Sequence, residues 1–241
     1  AKGNAVEKLF GVRTQKKAHD AAEHWISVSD LMSGLMMVFL FISVAFMRHV
    51  MIERDKIKQV AVAYQENQVE LYNKLQKEFA GDLTKWNAEI DRDTLSFQFK
   101  SPDILFANGS SDINPQFKAV LNDFFPRYMK VLGGFKASIN EVRIEGHTSS
   151  HWRFDASPEE SYFRNMELSQ ARTRSVLFFV QTLPQIRADR EWVKRNIAAV
   201  GLSSSKPILD EKGKEDPERS RRVTFRVITN AETQIRRLIQ D

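Results

Sequence analysis

The sequence predicts an α+β protein in three parts: one N-terminal transmembrane helix, a helical linker, and an α/β sandwich in which helices cover one face of a mixed sheet. Three observations carry this. Residues 25–47 are almost wholly apolar. Residues 48–91 are charged, free of proline and apolar at helical spacings. From residue 92 to 241, runs with period two alternate with runs of helical period, the pattern of strands interleaved with helices.

A polar head, residues 1–24, precedes the apolar stretch and is expected to lie in the cytoplasm. At about 1.5 Å per residue, Trp25 to Met47 reaches across a hydrocarbon core roughly 30 Å thick. A secretory signal peptide has a shorter apolar core ending in small residues, whereas this stretch runs on into "VAFMRHV" and reads as a signal anchor, although "SVA" mimics a weak cleavage site. Lys2, Lys8, Arg13, Lys16 and Lys17 lie before it, Arg48, Arg54, Lys56 and Lys58 after it. The positive-inside bias is therefore slight, and it is the size of the C-terminal part that favours its export.

In the linker, Ile57, Val60, Tyr64, Leu71, Leu75 and Phe79 form one apolar helical stripe. Pairing with a second copy of the same helix is preferred to packing on its own domain, though Gly81 and imperfect heptads weaken the pattern. Beyond it, "LSFQFK" alternates as a strand. "PQFKAVLNDFFPRYMKVL" has helical period after an initial proline, and Pro126 is expected to bend or divide it. "EVRIEG", "NIAAVGL" and "RRVTFRVIT" read as strands, "NMELSQARTRSVLFFVQTL" as a helix, and the final "AETQIRRLIQ" as a short amphipathic helix.

Several function classes are disfavoured. The net charge of +5 is scattered among 31 acidic residues rather than gathered in one run, so no direct nucleic-acid partner is expected. The chain has no cysteine, which removes thiol catalysis, disulfides and cysteine zinc sites. Its five histidines show no HExxH spacing, and GxxxxGK[ST] and GxSxG do not occur. Serines near histidines in "GHTSSHW" are poor grounds for a triad, which is recognised by geometry. No enzymatic activity, metal or bound cofactor is expected.

Asp30 lies about one turn inside the apolar stretch. A carboxylate at the centre of a membrane helix costs roughly 2.5–3.5 kcal/mol, and less near an end, which makes it a functional candidate. A helix-terminal charge is the plainer reading, with Ser27 and Ser29 as alternative caps. Ser33 and Gly34 fall one turn on and give a small-residue face for a neighbouring helix. A site that takes up and releases an ion is preferred on that ground.

Four C-terminal stretches match, in order, the OmpA-like peptidoglycan-binding domain: "ILFANGSSDINP", "IEGHTSS", "NMELSQARTRSV" and "RSRRVTFRV". The resemblance implies a non-catalytic domain holding the peptide stem of the cell wall, whose diaminopimelate end presents a carboxylate and an ammonium. Arg172 is the guanidinium expected to take the carboxylate. Asn165 and Leu168, seven and four residues before it, share its helical face, Asn165 to hydrogen-bond the peptide and Leu168 to shape the wall. Thr148 and Ser149 complete the expected site with Arg222; Arg221 and Arg222 match the family's "NRR" stretch, with Ser220 in place of its asparagine, and either flank the pocket or solvate a strand. Ser149 stands where the family has an aspartate, which leaves the ammonium site open. Asp155, Glu159 or Glu160, from the insertion "HWRFDASPEESYFR", are candidates for the missing charge, and a lost or altered ligand is an equal alternative. His147 reads as a turn residue satisfied by backbone.

An acid in a single span joined to such a domain resembles the MotB family of ion-driven stator subunits, and within it the branch that serves Zorya anti-phage systems. The resemblance implies a homodimer inside a ring of a multi-span MotA-like partner, five copies around the dimer, in the bacterial inner membrane with the C-terminal domain periplasmic. Asp30 would bind the translocated ion, H+ or Na+. A flagellar stator and a passive envelope tether are the rival readings.

Overall fold

The computed structural model describes residues 4–100, 105–107 and 109–230, with side chains described at 25, 28–60, 62 and, within those ranges, from 65 on. It divides into two compact units, Ala1–Lys58 and Gln59–Asp241. The expected helix over 231–240 lies outside the described residues.

The first unit is helix throughout its described part, within α1 (Asn4–Phe79). Its apolar segment is the one helix among the described residues long and apolar enough to cross a membrane, and none of that segment is buried. Leu31, Met36 and Phe41 are each at least 70% exposed. A contiguous apolar surface of that extent needs a partner or lipid, and a helix is the element whose backbone hydrogen bonds need no water.

In the second unit the end of α1 feeds the core. Leu71, Leu75 and Phe79, the last three members of the stripe, are buried among the domain's own aromatics. The stripe is thus used at this end for intramolecular packing rather than for pairing with a second copy. Residues 88–91 form a strand, not the end of a helical linker. β1 (Ala88–Asp91) pairs with β2 (Ser96–Lys100) and is one edge of a five-stranded sheet.

The other strands are β3 (Ile139–His147), β4 (Ile197–Gly201) and β5 (Arg222–Thr229), and the order is β1-β2-β5-β3-β4. β3 and β4 are parallel and every other pair antiparallel, so the sheet is mixed as expected. A parallel pair requires a crossover, which α3 (Pro158–Thr182) and the short α4 (Arg190–Asn196) provide. α2 (Pro115–Gly133) lies between β2 and β3 in the chain and contains Pro126 without being divided by it. α5 (Pro217–Ser220) is a single turn before β5.

Alternation along the strands sorts the two faces. Phe97, Phe99, Val142, Ile144, Val223, Phe225 and Val227 point into the core with Phe117, Phe124, Phe125 and Tyr128 of α2. Most of the rings meet edge-on or tilted, as in Phe97 to Phe124 at 4.5 Å and Phe99 to Phe124 at 5.1 Å, while Tyr128 stacks on Phe124. Each such pair contributes about 0.5–1.5 kcal/mol beyond its buried area. Ser96, Gln98, Glu145, His147, Arg222 and Thr224 line the opposite, polar face.

Candidate functional site

α3 carries the sequence-predicted site residues, and its placement follows from small residues beneath it. A Cβ on Gly146 of β3 would sit 2.8 Å from the Ser169 carbonyl oxygen, and one on Gly201 of β4 would sit 2.4 Å from the Gln170 nitrogen. Only glycine permits the sheet and helix to approach so closely. Ser169 Oγ donates to the Met166 carbonyl and accepts from the Ser203 N–H, and Ser203 Oγ donates to the Tyr162 carbonyl. The Ser203 carbonyl in turn accepts from the Thr148 N–H at 2.9 Å, so one residue ties the end of β4 to both α3 and the loop after β3.

The helix begins earlier than its motif. Ser157 Oγ accepts from the Glu160 N–H, Pro158 occupies the first turn, and Glu159 and Glu160 place negative charge at the positive end of the helix dipole. Half of the expected insertion is therefore the first two turns of α3.

Between this helix, the loop after β3 and the start of α5 lies a cleft of about 660 Å3. It brings together Thr148, Ser149, Asn165, Leu168, Arg172 and Arg221 of the predicted residues, and adds Gly109, His151, Trp152, Arg153 and Pro217. The Arg172 guanidinium donates from Nε to the Ser110 carbonyl at 2.9 Å and stacks over the Phe106 ring at 4.9 Å. Those two contacts aim its fork. Buried Asn165 donates from Nδ2 to the Ser149 carbonyl at 3.1 Å and to the His151 carbonyl at 3.5 Å, holding the loop against the helix. The Thr148 hydroxyl is buried and has no hydrogen-bond partner. A fixed guanidinium with neutral polar side chains around it is suited to a carboxylate.

The other predicted members lie elsewhere. Arg222 does not line the cleft. Strand alternation turns it to the polar sheet face, where it donates to the Ser220 and Lys206 carbonyls, and its neighbour Arg221 lines the cleft instead. Asp155 pairs with Arg153 at 2.7 Å in the open, and Glu159 and Glu160 are exposed on the first turn of α3; none of the three lines the cleft. Nor is His147 a turn residue satisfied by backbone. It ends β3, is buried, and neither ring nitrogen has a hydrogen-bond partner, with Glu145 Oε2 3.6 Å from Nε2. Burial pushes its imidazole pKa down against the pull of Glu145. Burial pulls the Glu145 carboxyl up, but His147, Arg226 and Thr224 together hold it below its usual value.

Trp152 and Arg153 were not anticipated as lining residues, and of the two arginines expected at the site it is Arg221 that lines it. Nothing in "HWR" signals a cleft, while Arg221 follows from period two once the register of β5 is known.

In the first unit, Asp30 is exposed on α1. Ser33 Oγ donates to the Ser29 carbonyl at 2.8 Å, and a Cβ on Gly34 would meet nothing within 4 Å. The small-residue face expected beside the acid is open to another helix.

The OmpA family model matches residues 105–221. The Zorya protein ZorB of Escherichia coli (Crooks strain) is 57% identical over 236 residues, 98% of this chain and all of that protein. Among solved structures, the cell wall anchor of the T6SS from Pseudomonas aeruginosa is 23% identical, covering 64% of this chain and 96% of that one at a TM-score of 0.43. A MotB-like protein from Desulfovibrio vulgaris is 21% identical over 68% of this chain and 96% of that one at a TM-score of 0.49.

Proposed function

This chain belongs to the family of the Zorya protein ZorB, and we propose that it is the wall-anchored stator subunit of an ion-driven motor in the bacterial inner membrane, acting in anti-phage defence. The observation that carries the reading is the pairing, in one chain, of an acid on an exposed apolar helix with a guanidinium cleft in an OmpA-type domain. The relative's match extends over both parts.

In this reading the N-terminus is cytoplasmic, the helix spans once, and the cleft faces the periplasm. Arg172 takes a carboxylate of the peptidoglycan stem, Leu168 contacts its aliphatic part, and Asn165 keeps the loop in place. Two copies stand inside a ring of multi-span MotA-like subunits, five around the dimer. Asp30 binds and releases the coupling ion, a proton in preference to Na+, because a carboxyl beside a hydroxyl and a glycine offers one titrating group and few oxygen ligands. Fixed by the wall, the dimer serves as the axle about which the ring turns.

The test is Asp30→Asn, which keeps shape and removes the charge. Cells carrying it are expected to assemble the complex with the ring subunit and to lose protection against phage. Full protection by this variant would overturn the ion-relay role.

A further inference from the structure

The cleft differs in one chemical respect from what a free diamino acid end requires. An ammonium is held most strongly by an anionic acceptor, and the place of the family's aspartate is held by Ser149. Among the described residues the side chains lining the cleft include three guanidinium groups and an imidazole and no carboxylate. The nearby acids do not line the cleft and are already engaged, two of them by arginines that do line it. Asp155 pairs with Arg153, Glu218 with Arg221, and Glu215 accepts from both the backbone N–H and the hydroxyl of Ser150.

Where the carboxylate is missing, two hydroxyl-bearing residues, Thr148 and Ser149, line the cleft. Thr148 lines the cleft and is 5% exposed, and its Oγ1 is buried without a hydrogen-bond partner. A hydroxyl gives one donor and accepts through two lone pairs, so this pair matches a neutral amide, which offers one N–H and one carbonyl. It does not neutralise a cation. A buried polar atom left unpaired is costly, which makes a hydrogen-bonding ligand group the natural complement of Thr148.

We propose that the cleft takes a wall stem whose side-chain amine is already acylated, as in a cross-link, with Arg172 holding the free carboxylate and Thr148 and Ser149 reading the amide. The inference rests on the wall-binding reading above and names its substrate class. An anchor built this way prefers stems that have been joined to a neighbour over unlinked ones.

The experiment uses the full chain in detergent micelles and two synthetic stem peptides ending in diaminopimelate, one with a free side amine and one N-acetylated there, compared by calorimetry. The acetylated peptide is expected to bind at least tenfold more tightly. Thr148→Val should reduce that preference, and Ser149→Asp should reverse it by restoring an ammonium acceptor. Equal or tighter binding of the free amine by the parent chain would overturn the inference and leave wall binding standing. Binding of neither peptide would remove the wall-binding reading and the inference with it.

Discussion

Gly201 lies directly beneath Gln170, so close that a Cβ would come within 2.4 Å of the Gln170 backbone nitrogen. That nitrogen belongs to the helix and cannot turn aside as a flexible side chain would. Gly201→Ala must therefore lift α3 or shift β4, and overpacking of this kind costs about 1–3 kcal/mol. The same displacement moves Asn165 and Arg172. The variant is expected to lower the unfolding midpoint and weaken binding to sacculi together, whereas Gly81→Ala, with nothing within 4 Å, should leave both unchanged. Denaturant unfolding and sacculus pull-down measure the two effects.

Arg172 and Arg222 are predicted to separate binding from stability. The Arg172 fork is aimed by the Ser110 carbonyl and the Phe106 ring, and lysine can reproduce neither the planar stack nor a bidentate grip on a carboxylate. Arg172→Lys should weaken sacculus binding roughly 10- to 100-fold, the range of a charge-assisted hydrogen bond worth about 1.5–3 kcal/mol. Arg222 is buried on the other face and ties the Ser220 and Lys206 carbonyls. Arg222→Lys should lower thermal stability while the folded fraction binds sacculi as the parent does.

The Tyr128 hydroxyl is fully buried among aromatic rings and has no hydrogen-bond partner. Burial raises its pKa well above the usual tyrosine value, so it stays neutral. Removing it leaves the ring stacked on Phe124 at 5.0 Å and deletes an unpaid desolvation cost. Tyr128→Phe is expected to be neutral to stabilising, by up to about 1–2 kcal/mol. A loss of stability in urea titration would show that the hydroxyl has a role.

The residues of the cleft that sit on α3 were legible because a seven-residue span of one helix has fixed geometry, and Asn165, Leu168 and Arg172 do meet at the cleft. The choice between Arg221 and Arg222 was not legible. Adjacent residues of a strand face opposite ways, and which way is set by the pairing of Arg222 with His147 and Lys100, a long-range fact. β1 escaped notice because "AEID" is short, charged and at a sheet edge, where little burial constrains composition. The start of α3 was present in "SPEE" as a cap, a proline and two acids, but the motif beginning at Asn165 drew the boundary too late. Leu71, Leu75 and Phe79 show the limit of periodicity most plainly. An apolar stripe states that a helix face is buried, and the same stripe fits a second copy or the chain's own core.

His147 supplies a pH-dependent term whose sign follows from its surroundings. Glu145 lies 3.6 Å away, Arg226 reaches that same carboxylate at 3.9 Å, and Arg222, Lys206 and Arg219 with Glu89 and Asp91 share the polar face. Burial favours the neutral imidazole, so the folded-state pKa is lowered from its ordinary value. As pH falls below about 6.5, the unfolded chain takes up a proton that the folded chain resists, and stability drops. Glu145 acts in the same direction at lower pH. Its folded-state pKa is held down, so its contribution is present above the ordinary carboxylate range and is lost as the group protonates. The parent chain should therefore lose thermal stability in two stages on acidification, first through the histidine range and then through the carboxylate range. His147→Gln should abolish the first stage and shrink the second, because His147 is the foremost of the groups that hold the Glu145 carboxyl down, leaving Arg226 and Thr224 to do so. Thermal melts of both proteins from pH 7.5 to 4 distinguish the outcomes, and an unchanged first stage in the variant would assign it to another group.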